Sequence, residues 1–205
     1  MRETLQKLDH FLETRRPRLY QALRPGLDHQ QLSELRQGFG FSIHTPLRLW
    51  WQWRDGQVVR VGSGTLFFNR TLMTAAESVQ AAKLLQSMFA DSPSWWGPRW
   101  VPILTNGAGD YICVDLKGDQ SLGYKQHSKR GQIVEHWHDD KNRSVLAPDL
   151  ASWLEAMIDS WQRCNWRETE GGSFTLETEE DWRAHKAVMH ENIHGYPRHF
   201  TGHRT

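Results

Sequence analysis

Residues 100–116, WVPILTNGAGDYICVDL, hold two apolar segments that flank a glycine-rich tetrapeptide. The segments at Val101–Leu104 and Tyr111–Leu116 contain β-branched and aromatic residues, and each has the length of a short strand. Asn106–Gly109 has the composition of a turn, so the pattern predicts an antiparallel hairpin. The turn is too short to cradle a phosphate group, and it lacks a lysine and a following helix.

Helical patterns lie on both sides of this hairpin. The N-terminal third reads as short amphipathic helices, the first with apolar positions at Leu5, Leu8, Phe11 and Leu12. Gly131–Trp137 predicts a further strand. A strong helix after Pro148 carries an apolar stripe at Leu150, Trp153, Leu154, Met157, Ile158 and Trp161. The order of the predicted elements is helices, then hairpin strands, then a helix. This order predicts the α+β class with a mostly antiparallel sheet, rather than βαβ repeats.

Local signals predict several element boundaries. Thr45–Pro46 is expected to supply the N-cap and first residue of one helix. Asp28–Gln31, Thr74–Glu77 and Thr178–Asp181 have the spacing of capping boxes. Arg54–Gln57 is predicted to be a turn, and the valines of Val58–Val61 a strand after it.

Composition narrows the class of protein. The 205 residues are enough for one domain with an appendage, and the formal net charge of +1 gives no reason to expect a nucleic-acid or anionic-membrane binder. The two cysteines, Cys113 and Cys164, form no CxxC pair, which argues against a cysteine-based zinc site. No apolar signal segment and no run of about 20 apolar residues is present. We therefore expect a cytoplasmic protein with reduced thiols and no cofactor.

Three stretches of sequence, called blocks below, occur in a characteristic order along the chain. They are LRPGLDHQQLSELRQGFGFSIHTPLRLWWQWRDGQ at 23–57, the hairpin block at 100–116, and GQIVEHWHDDKNRSVLAPDLASWLEAMI at 131–158. This ordered set resembles the SUKH superfamily, which includes the Smi/Knr-type regulators of fungal cell-wall assembly. The hairpin block, with its Trp…Pro-Ile strand, Gly-Asp and Val-Asp-Leu, is the most specific of the three.

The resemblance implies a curved, mostly antiparallel sheet packed with helices over residues 1–165, and no catalytic activity. Residues 166–205 match nothing in the family core and are expected to form a C-terminal extension with a short strand, a helix and a frayed tail. Bacterial relatives are regarded as immunity proteins that bind polymorphic toxins, and fungal relatives act as interaction hubs. Pro148 departs from the family, in which many members carry a small polar helix cap.

Two histidine-containing motifs allow a metal to be considered. His190, Glu191 and His194 match HExxH, which on one helix could bind zinc with Glu191 as general base. A solvated helix end near the C-terminus is the alternative, and it offers no dry cleft. His136 and His138 would share a face on a strand and could join Asp140, whereas a strand running into a turn is the alternative. We predict no metal site from either motif.

Acidic and aromatic residues are the candidates for contact with a protein partner. Asp110 and Asp115 match the acidic positions of the family, and Asp139 and Asp140 follow in the third block. Their alternative role is to accept hydrogen bonds within turns and strands. Trp95 and Trp96 are adjacent and cannot both face one way, so we expect exposed tryptophan at a potential interface, unless the C-terminal extension covers it.

The sequence thus predicts a non-enzymatic protein-binding domain, with no nucleic-acid or membrane ligand. An immunity protein that neutralises a toxin by occluding its active site is the leading hypothesis. A regulatory adaptor in cell-wall or stress signalling is an alternative, and a zinc-dependent hydrolase using the HExxH residues is the enzymatic one.

Overall fold

The computed structural model describes residues 1–39, 42–92, 95–118, 129–141, 143–195 and 198–200. Within these ranges the helices are α1 (Arg2–Arg15), α2 (Pro17–Ala22), α3 (His29–Phe39), α4 (Thr45–Trp53), α5 (Ala75–Met88), α6 (Leu150–Arg163) and α7 (Glu179–Asn192). The strands are β1 (Leu23–Pro25), β2 (Arg54–Gln57), β3 (Thr71–Leu72), β4 (Trp100–Thr105), β5 (Tyr111–Asp115), β6 (Ile133–His136), β7 (Arg143–Ala147), β8 (Arg167–Glu168), β9 (Phe174–Thr175) and β10 (Arg198–Phe200).

Six of these strands form one sheet in the order β10-β7-β6-β5-β4-β3, and every neighbouring pair is antiparallel. The predicted hairpin is its centre: Trp100 pairs with Asp115 and Thr105 with Tyr111. Two small antiparallel ribbons, β1-β2 and β8-β9, lie outside it. The α+β prediction is confirmed.

The core lies between this sheet and the helices. The stripe predicted on α6 is buried, with Trp153 and Leu154 at 1% and 0% exposure. The α1 residues Leu8 and Leu12 are fully buried in the same cluster. Such burial removes apolar area from water and provides most of the stabilisation. Among the described helices none is long and apolar enough to cross a membrane.

Three predicted helix starts are right and one is displaced. Asp28 and Gln31 exchange hydrogen bonds at the start of α3, and Thr74 caps α5 through the box with Glu77. Thr45 is not the N-cap of α4 but its first residue, because His44 is the last residue with an extended backbone. The capping box at Thr178 is also present.

The strand predicted at Val58–Val61 is wrong. Val59 and Val61 are 67% and 105% exposed and lie outside the strands. The residues predicted as a turn, Arg54–Gln57, form β2 instead, which pairs with the three-residue β1. The chain before β1 is helical, so Val58 can only bond the last residue of α2, Ala22, and the ladder ends there.

The described part of the C-terminal extension packs on the sheet and on α6. β10 adds an edge strand by pairing with β7, a strand that the sequence analysis missed. Phe174 is 7% exposed, and its backbone N–H donates to the carbonyl oxygen of Phe68. The α7 helix lies against α6, where Ser160 contacts His185. The 165/166 domain boundary stays a prediction.

Candidate functional site

Asp110 joins the two hairpin turns at one end of the sheet. Its Oδ1 accepts hydrogen bonds from the backbone N–H of His138 at 3.0 Å and contacts His138 Nδ1 at 2.8 Å. Its Oδ2 accepts from Asn106 Nδ2 at 2.6 Å. Burial raises the pKa of the carboxyl, but the hydrogen bonds from His138 and Asn106 outweigh this effect and leave the pKa below its ordinary value. The carboxylate therefore holds the β6–β7 turn against the β4–β5 turn.

The β6–β7 turn presents an aromatic and acidic surface. Trp137 is 38% exposed, and Asp139 and Asp140 are exposed beside it in sequence. Arg143 braces the turn from below: its Nη1 donates to the carbonyl oxygen of Asp140 and its Nη2 to that of Trp95 at 2.8 Å. The shape of this surface is thus built by hydrogen bonds from a buried side chain.

Of the two adjacent tryptophans, only Trp95 is partly exposed. Its ring stacks on Phe89 with centroids 5.9 Å apart, and Lys141 Nζ lies 5.4 Å from its centroid. Trp96 is 3% exposed and packs edge-on against Trp100 and His136, so it belongs to the core. The expectation that Trp96 meets a partner is corrected accordingly.

Two of the predicted acidic residues are interior as well. Asp110 is 5% and Asp115 1% exposed, so neither presents a charge at the surface. Asp115 accepts from the backbone N–H of Lys117 at 2.9 Å and from Gln132 Nε2 at 3.1 Å, and so stabilises the end of β5. Both match the hydrogen-bonding alternative. Asp139, Asp140 and Trp95 remain candidates for partner contact.

A cavity of about 400 Å³ opens between the 67–70 turn, strands β6 and β7, and α7. Its walls combine aromatic and aliphatic side chains with several polar ones. It is lined by Phe67, Phe68, Asn69, Arg70, Glu135, Trp137, Leu146, Trp153, Trp182, His185, Lys186, Met189, His190 and Ile193. Trp137 belongs both to this wall and to the exposed turn, so cavity and turn are continuous.

The chain was compared with known protein families and with curated proteins. The profile of the SMI1/KNR4 family (SUKH-1) matches residues 26–156, well over half of the chain. The chain belongs to the SMI1/KNR4 family. Among curated proteins no match was found.

The SUKH-1 match ends inside α6, so some residues that line the cavity lie within the matched region and others lie beyond it. The matched region supplies Arg70, Glu135 and Trp137. The segment beyond the match supplies Trp182 and His185, among other α7 side chains. In this SUKH-1 protein the C-terminal extension therefore completes a concave site that the family region alone leaves open on one side.

The HExxH residues are not all on one helix. α7 ends at Asn192, so His194 lies beyond the helix and does not share a face with His190. Glu191 bonds Arg163 Nη1 at 2.7 Å. No group of three metal-ligating side chains occurs within the described ranges. His136 and His138 are also separated, because β6 ends at His136 and His138 belongs to the turn.

Sequence reasoning missed the cavity residues. Arg70 and Glu135 pair across 65 positions, and Ser160 and His185 across 25, so no local pattern connects them. Phe68 has φ +50°, a conformation that favours glycine, and such an outlier often lies at a functional site.

Proposed function

We propose that this SUKH-1 protein is an immunity protein that binds a toxin domain and covers its active site. The observation that supports the proposal is Trp137, an exposed tryptophan on a braced turn, with the exposed Asp139 and Asp140 two and three residues after it. Tryptophan is enriched among residues that dominate binding energy at protein interfaces. Acidic neighbours would steer a basic partner toward it.

The proposed mechanism is steric. The turn rests on Asp110 and Arg143, so docking requires little ordering of the backbone and loses little conformational entropy. Trp95 adds a second aromatic ring beside the Arg143 guanidinium, whose carbon lies 5.8 Å from the Trp95 centroid. The contact needs no catalytic group on this chain, only a toxin surface with basic residues around a pocket for an indole ring.

The test is coexpression with the toxin domain encoded beside this chain in its native genome. The full-length chain should restore growth of the host, and the complex should be recovered at equal stoichiometry. Trp137→Ala should weaken binding by about thirtyfold or more, as hot-spot truncations do. Leu84→Ala, at a position 61% exposed on α5, is the matched control and should leave binding unchanged.

Two outcomes would contradict the proposal in different ways. A chain that binds no neighbouring toxin and gives no protection is not an immunity protein, and stable capture of signalling proteins instead would favour the adaptor function. Full protection by Trp137→Ala and by Asp139→Asn would show that the toxin is bound elsewhere.

A further inference from the structure

The cavity beside Trp137 has the size and composition of a site for a small molecule. Its volume of about 400 Å³ lies within the range of known ligand pockets, roughly 300 to 1,000 Å³. Such pockets combine apolar walls with a few polar groups that orient the ligand. Here the apolar walls are aromatic: the rings of Phe68 and Trp182 stack 4.9 Å apart at an interplanar angle of 6°.

The backbone at this wall is held in an unfavourable conformation. Phe68 is a non-glycine residue with φ +50°, a strained conformation that persists only where its surroundings hold it. The holding contacts include the stacked Trp182 ring and two hydrogen bonds to the Phe68 carbonyl oxygen, from the Phe174 N–H and the Thr65 hydroxyl. Trp182 and Phe174 belong to the C-terminal extension, which thus contributes to the shape of the cavity.

Arg70 places a buried positive charge beside this cavity. The residue is 2% exposed, its Nη2 donates to Glu135 Oε1 at 2.8 Å, and its guanidinium carbon lies 4.7 Å from the Trp137 ring centroid. Its Nε is buried without an acceptor among the described residues. A buried positive charge in a low-dielectric interior attracts a negatively charged ligand more strongly than it would in water.

His185 offers a second donor to the cavity, from α7. Trp166 Nε1–H donates to Ser160 Oγ at 3.0 Å, and that Oγ lies 2.7 Å from His185 Nδ1. Burial, followed by the charge of Lys186, lowers the pKa of His185 to about 4, so the ring is neutral near pH 7. The tautomer in which Ser160 donates to Nδ1 leaves the ring proton on Nε2 as a donor for a ligand.

The charges that line the cavity favour an anion. Among the described lining residues, Arg70 and Lys186 are positively charged and Glu135 is negatively charged, which leaves one excess positive charge. His185 and His190 are further nitrogen donors or acceptors. We propose that this cavity binds a small monocarboxylate with an aromatic or branched hydrocarbon body, its carboxylate received by Arg70, His185 and Lys186. The cavity shares Trp137 with the proposed toxin-binding surface, but ligand binding here does not depend on whether the chain neutralises a toxin.

The test compares 4-phenylbutyrate with its neutral amide by titration calorimetry on the full-length chain. The acid should bind about tenfold more tightly, because charge-assisted hydrogen bonds are roughly twice as strong as neutral ones. Glu135→Gln removes the opposing carboxylate and keeps an acceptor for Arg70, so it should tighten binding of the acid about fivefold and leave binding of the amide unchanged.

Lys186→Ala provides an independent variant, since the side chain is exposed and its removal spares the core. It should weaken binding of the acid about threefold, the usual worth of an exposed charge pair, while Lys83→Ala on the exposed face of α5 should have no effect. The proposal is overturned if the acid does not bind at millimolar concentration, or if acid and amide bind equally. It is also overturned if Lys186→Ala and Lys83→Ala give the same affinity as the unchanged chain.

Discussion

Replacing His136 by phenylalanine should make the protein more resistant to acid. His136 is 1% exposed, and both ring nitrogens are buried without hydrogen-bond partners among the described residues. Its ring lies between Trp96, at 5.1 Å, and Tyr111, at 6.1 Å. A phenyl ring keeps most of these contacts and removes the group that titrates.

The size of the effect follows from the pKa of this residue. Burial, followed by the charge of Arg143, lowers the pKa of His136 from 6.5 to about 3; Asp110 opposes the shift and His138 adds to it. Below pH 6.5 the unfolded chain takes up a proton that the folded chain refuses, so stability is full above 6.5 and is lost as the pH falls toward 3. At pH 4.5 the loss is about 3 kcal/mol, at roughly 1.4 kcal/mol per pH unit.

The assay is urea unfolding followed by tryptophan fluorescence at pH 7.0 and pH 4.5. The decrease in the free energy of unfolding between these two pH values should be about 3 kcal/mol smaller for His136→Phe than for the unchanged chain. His10→Phe, at an exposed position on α1, is the control and should retain the full decrease. Equal decreases for His136→Phe and the unchanged chain would refute the reasoning, because the buried imidazole would then contribute nothing to acid sensitivity.

Two further predictions concern the C-terminal extension. Thr178→Ala removes the cap of α7 and should lower the free energy of unfolding by about 1 kcal/mol in the same urea assay. The control Thr14→Ala, inside α1, should not lower it. Equal effects of the two changes would contradict the role of the cap. Because His194 lies beyond the end of α7, protein dialysed after exposure to zinc should retain no stoichiometric metal by mass spectrometry; one zinc per chain, lost in His194→Ala, would show that the HExxH residues assemble after all.

The features that could be predicted from the sequence are those decided by neighbours along the chain. The Asn106–Gly109 turn and its two strands, the capping boxes at Thr74 and Thr178, and the apolar stripe on α6 all depend on contacts within a few residues. The same locality explains two errors, the turn predicted at Arg54–Gln57 and the strand predicted at Val58–Val61. These valines have strand propensity but no partner strand among the described residues, and β propensity is satisfied only by pairing.

The resemblance to the SUKH superfamily rested on three ordered blocks, and the family match over residues 26–156 confirms it. The order of such blocks reports a shared fold, but it does not say which side chains are exposed. Trp96 and Trp95 are adjacent and of the same type, yet one is 3% exposed and the other half-buried. That difference depends on where the chain turns relative to β6, which no local pattern contains.

The candidate sites were decided by the tertiary structure. Arg70 meets Glu135, and Ser160 meets His185, only after the sheet and α7 have come together. The sequence by itself determined the hairpin, the caps, the buried stripe and the family. The burial of Asp110, the exposure of Trp137 and the cavity closed by the C-terminal extension came from contacts between segments far apart in the chain. Their free energy depends on packing in three dimensions, and a one-dimensional pattern does not record it.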